Sequence, residues 1–271
     1  MSKLLRANFF RLRRSWPLLL CMLGAFALSS VSMLGIARSS SESYALDNAL
    51  LQSFPFLPIL HAAFISLFLG VEYQDGTLRN KLIAGHGRAA VYFSSLISAM
   101  AGCMAILLAW LLSAAVGAAC FGWFRTPLPG LLLSMAVILL LTAAIAAILT
   151  LLAMLTPNRA AAAVVSILLI FGLIVVGSML YNALSEPEML SGAIVTANGF
   201  AIGDPEPNPN YISGTLRAVY QFLVSALPTG QAILLANEEL TQPVLSLCCS
   251  AGIVILTSLT GAAIFRKKDL K

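Results

Sequence analysis

The chain has 271 residues, of which 59% are hydrophobic and 10% charged, with a formal net charge of +5. A soluble domain carries roughly 25% charged residues; at a mean hydropathy of +0.93 this chain cannot cover itself with polar surface and needs lipid as its solvent. The isoelectric point near 9.1 does not indicate nucleic-acid binding, because the basic residues sit at the ends of apolar runs.

The first sixteen residues hold Lys3, Arg6, Arg11, Arg13 and Arg14 and no acid. Leu5, Phe9, Leu12 and Trp16 fall on one helical face, with Lys3, Arg6, Arg13 and Arg14 on the other and Phe10 as the exception. That pattern predicts an amphipathic helix over 1–16, lying in the headgroup layer with its cations toward anionic lipid.

Six apolar runs follow, from Pro17 to Ile36, Phe54 to Val71, Val91 to Phe121, Leu128 to Leu155, Ala160 to Tyr181 and Val244 to Phe265. Each reaches or approaches the ~20 residues that cross the hydrocarbon core. None contains Lys, Arg, Asp or Glu. Lipid offers backbone groups no partners, so these runs are expected to be helices; the alternation of a β-barrel is absent. The prediction is an all-α integral membrane protein, with a six-span domain over 17–265 and a basic tail over 266–271. Arg13-Arg14 and Ala25-Phe26-Ala27 superficially resemble a targeting signal and a cleavage site. The first apolar run continues past Ala27 and five more follow, which favours an uncleaved first span.

The second run contains Pro55, Pro58 and His61. An ionisable side chain at membrane depth is a functional candidate, so His61 is the one weak candidate for substrate contact; a packing hydrogen bond is the plainer reading.

Between the second and third runs lies a dense charge cluster over 72–88. Glu72 stands at the membrane exit. Asp75 can cap a short helix that begins at Thr77 and runs to Ala84. Leu78 and Leu82 share one face of it, Arg79, Asn80 and Lys81 lie largely on others, and Gly85 is a natural terminator. Small residues crowd the end of the third run, the fourth around Ala143–Ala147, and the start of the fifth, which allows close helix approach.

The connection over 182–243 has two halves. Pro187, Pro205, Pro207 and Pro209, among acids, forbid helix and central strand in the first. In the second, Leu216, Tyr220, Leu223 and Leu227 make one apolar helical face, Arg217, Gln221 and Ser225 point away, and a further short helix is expected over 231–240. Two short helices there can cap the bundle or dip into it.

Thirteen of the sixteen basic residues fall on one side of this arrangement; the other side has Arg38, Arg125 and Arg217, with eight of the eleven acids. By the bias of Lys and Arg toward the cytoplasm, both termini are expected inside and the 182–243 loop outside.

Chemical motifs are absent from the sequence. It has no G-x-x-x-x-G-K-[ST] phosphate loop, no H-E-x-x-H and no G-x-S-x-G elbow, and only two histidines, His61 and His86. The cysteines Cys21, Cys103, Cys120, Cys248 and Cys249 all lie in apolar runs, which suggests neither a disulfide framework nor a metal site. No catalytic residue is expected.

The element Glu72-x-x-x-Gly76-Thr77-Leu78-Arg79-x-Lys81-Leu82, followed by Gly85-x-x-Arg88 and a long third span, resembles the permeases of type 2 ATP-binding-cassette exporters. The resemblance extends over the whole chain, including the interfacial helix, the six spans, the helix pair before the sixth and the basic tail. It implies a homodimer, or a heterodimer with a paralogous permease, in a bacterial cytoplasmic membrane. It also implies two separately encoded ATPase subunits that bind ATP and Mg, with no cofactor in this chain. The helix from Thr77 would then be a coupling helix docked in the ATPase, with Glu72 at its elbow and Asp75, Gly76, Thr77, Leu78, Arg79, Lys81, Leu82 and Arg88 as coupling residues. Arg79, Lys81 and Arg88 would meet acids of the ATPase. The cargo would be hydrophobic or amphipathic: a membrane-active peptide, a lipid or a drug. Two other readings are a substrate-capture subunit of an energy-coupling importer, which would want a polar pocket in the spans, and a non-transporting assembly protein. An intramembrane enzyme is opposed by the missing catalytic pairs.

Overall fold

In the computed structural model, residues 1–39, 46–121, 128–190, 193–196, 199–202 and 205–268 are described. Helix α1 (Ser2–Arg13) leads into α2 (Trp16–Ser39). A short α3 (Leu46–Ser53) and one 3₁₀ turn over Phe54–Phe56 enter α4 (Leu57–Gln74). Then come α5 (Thr77–Ile83), α6 (Arg88–Phe121), α7 (Leu128–Leu155) and α8 (Arg159–Ser185). Six stretches are long and apolar enough to span a membrane: Trp16–Gly35, Leu50–Gln74, Arg88–Gly117, Pro129–Leu155, Arg159–Ser185 and Pro243–Lys267. The charge-free runs thus mark the spans to within a few residues, because Asp, Glu, Lys and Arg are too costly to place inside them.

The spans form two tiers. The windows of α4, α6 and α7 are 50–67% buried, whereas α2, α8 and the last helix, α11 (Pro243–Lys267), are 22% buried and turn most of their surface outward. Trp110 of α6 sits at the centre, stacked obliquely on Phe54 at 5.3 Å and donating its indole N–H to Ser53 Oγ at 2.9 Å. Ala144, Ala146 and Ala147 of α7 are fully buried, the close approach that small residues permit.

The turn-rich connection holds two antiparallel ladders. β1 (Met189–Leu190) pairs with β4 (Glu206–Pro207), and β2 (Ala193–Thr196) pairs with β3 (Gly199–Ile202). Neither ladder has a central strand, which is how a proline-dense segment can still pair. Two helices follow, α9 (Gly214–Ala226) and α10 (Pro228–Ala236), bent by 97°. α10 starts on Pro228 rather than at 231, with proline at the first helical turn, where its missing N–H costs nothing. Pro228 through Leu235 are all buried, so α10 dips into the bundle instead of capping it.

The polar groups that α10 carries inward are satisfied. Gln231 Nε2 donates to Ser225 O at 2.8 Å and Ser246 O at 3.1 Å, and its Oε1 accepts from the Ser250 hydroxyl at 2.9 Å. The Thr229 hydroxyl donates to Leu173 O at 2.7 Å. A buried amide bonded on both sides is tolerable where an unpaired one is not.

Two amphipathic faces are turned differently: the α9 stripe faces outward, while the α1 stripe is split, with Leu12 buried and Lys3, Arg6, Arg13 and Arg14 exposed as predicted. In α9, Leu216 and Leu223 are exposed, while Val224 and Ser225 are buried and Arg217 Nη2 donates to Leu184 O at 3.0 Å. In α1 the buried face is Leu4, Asn8 and Leu12; Phe9 and Trp16 of the predicted stripe are exposed. When the solvent is lipid, an apolar stripe can face outward and the polar side can face protein.

Candidate functional site

The charge cluster folds at the end of the bundle where α1 and the last turn of α11 also lie. α4 ends at Gln74, and a tight turn through Asp75 and Gly76 reverses the chain. Gly76 has φ +63°, a left-handed conformation that favours glycine, and it rather than Asp75 is the N-cap of α5. The Asp75 side chain is exposed and makes no cap, a correction to the expected role. The Thr77 hydroxyl instead donates back to Glu72 O at 3.1 Å. At the other end Gly85, at φ +84°, stops the helix after Ile83. Gly85 N–H reaches Leu82 O and His86 N–H reaches Lys81 O, the paired bonds of a Schellman stop. Two glycines therefore frame a seven-residue helix on both sides.

Leu78 is buried and Leu82 packs against the core, as their shared face predicts. Glu72 is fully buried. Its Oε1 accepts from Lys81 Nζ at 2.8 Å and lies 2.6 Å from Arg11 Nη2, the latter an ion pair without an aligned N–H. Lys81 Nζ also donates to Asn8 Oδ1 at 2.9 Å. The Arg11 guanidinium covers the Phe68 ring at 4.2 Å. One carboxylate thus joins three helices: α4, which carries it, α5 through Lys81 and α1 through Arg11. A carboxylate without water needs paired cations, and those within reach are drawn inward.

Of the three cations expected to meet acids of the ATPase, Arg79 is exposed, while Lys81 and Arg88 also make contacts inside the chain. Lys81 is spent on Glu72 and Asn8. Arg88 Nη1 donates to the backbone carbonyls of Arg266, at 3.1 Å, and Lys268. The outward side of α5 is Arg79, Asn80 and Ile83, the last 72% exposed. Ile83 thus leaves a large aliphatic side chain bare beside two polar ones.

Sequence reasoning missed Asn8 and Arg11. The spacing of Leu4, Asn8 and Leu12 was their one signal, a second stripe at i, i+4, i+8 that the more apolar Leu5–Phe9–Leu12–Trp16 stripe outweighed. It also missed a companion joint. Lys268 Nζ donates to Tyr73 Oη at 3.0 Å, Leu155 O at 2.9 Å and Met154 O at 3.1 Å, and Tyr73 Oη donates to Met154 O. A cation on the last carbonyls of α7 complements the helix dipole; burial pushes the Lys268 ammonium below its ordinary pKa. Glu72 and Tyr73, consecutive in the last turn of α4, therefore fasten it to both ends of the chain.

His61 is 1% exposed, beside the Cys103 backbone, with neither ring nitrogen in a well-formed hydrogen bond. It lines none of the described clefts. A cleft of about 680 Å³ opens between α4 and α8 beside Leu67, Gln74 and Arg159. Among the described residues no group of His, Cys, Asp and Glu could hold a metal ion.

No curated protein matches the chain. A family model described as ABC-2 family transporter protein matches residues 4–177. The match begins inside α1, ends inside α8, and takes in every member of the Asn8–Arg11–Glu72–Lys81 joint. With that joint at one end of six membrane-spanning helices, and the match covering well over half of the length, the chain belongs to the ABC-2 family of transporter proteins, the permease subunits of ABC transporters.

Proposed function

We propose that this chain is the membrane half of an ABC exporter and that α5 is its coupling helix, seated in a separately encoded ATPase that binds ATP and Mg. The observation that carries the reading is the two-sided build of α5. One side is fixed to the bundle by Leu78 and by the Lys81–Glu72 pair; the other leaves Arg79, Asn80 and Ile83 bare. A push on the bare side is passed through Lys81 and Glu72 to α4 and α1 together, because a buried ion pair cannot slip without stranding a charge. Two permeases, identical or paralogous, would face each other above two ATPases. The concentration of Lys and Arg at this end supports a cytoplasmic position for it, in a bacterial inner membrane. The apolar, charge-free character of the spans supports a cargo that is hydrophobic or amphipathic, such as a membrane-active peptide, a lipid or a drug, extracted or exported by alternating access.

The test is co-purification of the epitope-tagged chain with its ATPase in mild detergent. Arg79→Glu with Ile83→Asp is expected to weaken association by roughly 30-fold or more, the scale of an interface hot spot. Thermal unfolding of the permease should stay unchanged, since both side chains are exposed. Stoichiometric ATPase retained by the double variant would refute α5 as the docking element.

A further inference from the structure

Arg88 opens α6 and Arg266 lies in the last turn of α11, and with Gly87 and Ala89 they line an open cleft of about 500 Å³. Two arginines, Arg88 and Arg266, line this cleft. Among the described residues neither is paired with a carboxylate, since the two ion pairs there both involve Glu72. Adjacent like charges repel, and an anion between them relieves that cost.

The Arg88 side chain is held in place. Its Nη1 is occupied by the tail carbonyls of Arg266 and Lys268, while Nη2 and Nε make no hydrogen bond among the described residues. Those free donors form the fork that matches a phosphate. The first amide groups of α6, a 34-residue helix, lie beside them, and a helix start favours negative charge. Both helices span the membrane, so their ends stand at headgroup level whichever leaflet that is. Below Arg266, α11 exposes Ile255, Leu256 and Leu259 on the same side, an apolar track along which acyl chains can lie.

We infer that the Arg88–Arg266 cleft binds the phosphate of an anionic phospholipid, with its chains laid on α11. A lipid seated there would lie against the two tail carbonyls that Arg88 holds, at the joint of α6 and α11. The site is independent of the docking role proposed for α5, which uses the opposite end of the 72–88 segment.

Native mass spectrometry of the full-length chain tests it, with phosphatidylglycerol titrated against phosphatidylcholine of identical acyl chains. The wild type is expected to retain one phosphatidylglycerol per chain at about tenfold lower concentration, the scale of one charge-assisted hydrogen bond. Arg266→Gln removes one guanidinium and leaves the Arg88 bonds intact, because they end on the backbone carbonyl. It should lose most of the preference, and Arg88→Gln with Arg266→Gln all of it. Arg159→Gln, at the start of α8 and away from the cleft, should keep it. Millimolar inorganic phosphate should leave the lipid bound. The inference is overturned if the two lipids bind alike, if both arginine variants keep the preference, if Arg159→Gln abolishes it, or if phosphate alone displaces the lipid.

Discussion

Glu72→Ala is expected to lower the stability of the permease by about 3 kcal/mol, the low end of the cost of breaking a buried ion pair. The carboxylate is wholly buried, and its loss strands Lys81, whose side chain is 16% exposed; Arg11, at 32%, recovers part of its hydration. The loss should be local in character. α1 is pinned by Leu4, Asn8 and Leu12 and by the Arg11 contact, so trypsin should cut sooner at Arg11 and Arg13 in the variant. Tryptophan-monitored thermal unfolding in nanodiscs, alongside timed proteolysis, measures both effects. Glu72→Leu with Arg11→Met and Lys81→Met separates charge from packing: three apolar residues of similar size strand no charge, so stability should return. If Glu72→Ala melts and cleaves like the wild type, the joint does not hold α1 to α4 and α5.

The second large effect is expected at Gly230. A Cβ there would lie 3.0 Å from the Val224 carbonyl carbon and closer still to its oxygen. The obstacle is backbone, and α9 cannot retreat without dragging Arg217 and Ser225 from their partners. Gly230→Ala should cost about 3 kcal/mol, the upper range for overpacking. At Gly102 and Gly261 the obstacles are the rings of Phe64 and Tyr92, which are themselves fully buried, so alanine there should be costly as well. At Gly252, where a Cβ meets nothing within 4 Å, alanine should cost nothing. Folded yield by fluorescence-detected size exclusion, with melting temperatures, compares the variants. Gly230→Ala as stable as Gly252→Ala would mean that α9 and α10 are not packed at this angle.

Span positions were legible in the sequence because charge is so costly in hydrocarbon that its absence marks each helix. The limits of α5 were legible too, since Gly76 and Gly85 supply the two left-handed positions that a short isolated helix needs. What could not be read was which way amphipathic faces turn. The periodicity of Leu216, Tyr220 and Leu223 reveals a stripe, but a stripe facing lipid and one facing protein have the same period. Pairing was equally hidden. Glu72 has Arg79 and Lys81 nearby in sequence, yet one of its two cations is Arg11, from the helix before the first span. Arg79 is left outside because the helical turn that points Lys81 inward points its neighbour out. Lys268 meets Tyr73 only because α11 ends beside α4 and α7, which no local pattern encodes.

The central claim is that the bare side of α5 meets the ATPase while the opposite side is tied inward through Glu72. A photo-crosslinking amino acid placed at Ile83, in the chain co-expressed with its ATPase, tests this most directly, with the same probe at Leu216 of α9 as comparison. The account predicts a crosslinked band at the summed mass of permease and ATPase from position 83 and none from 216. No such band from 83, or equal bands from both positions, would contradict it.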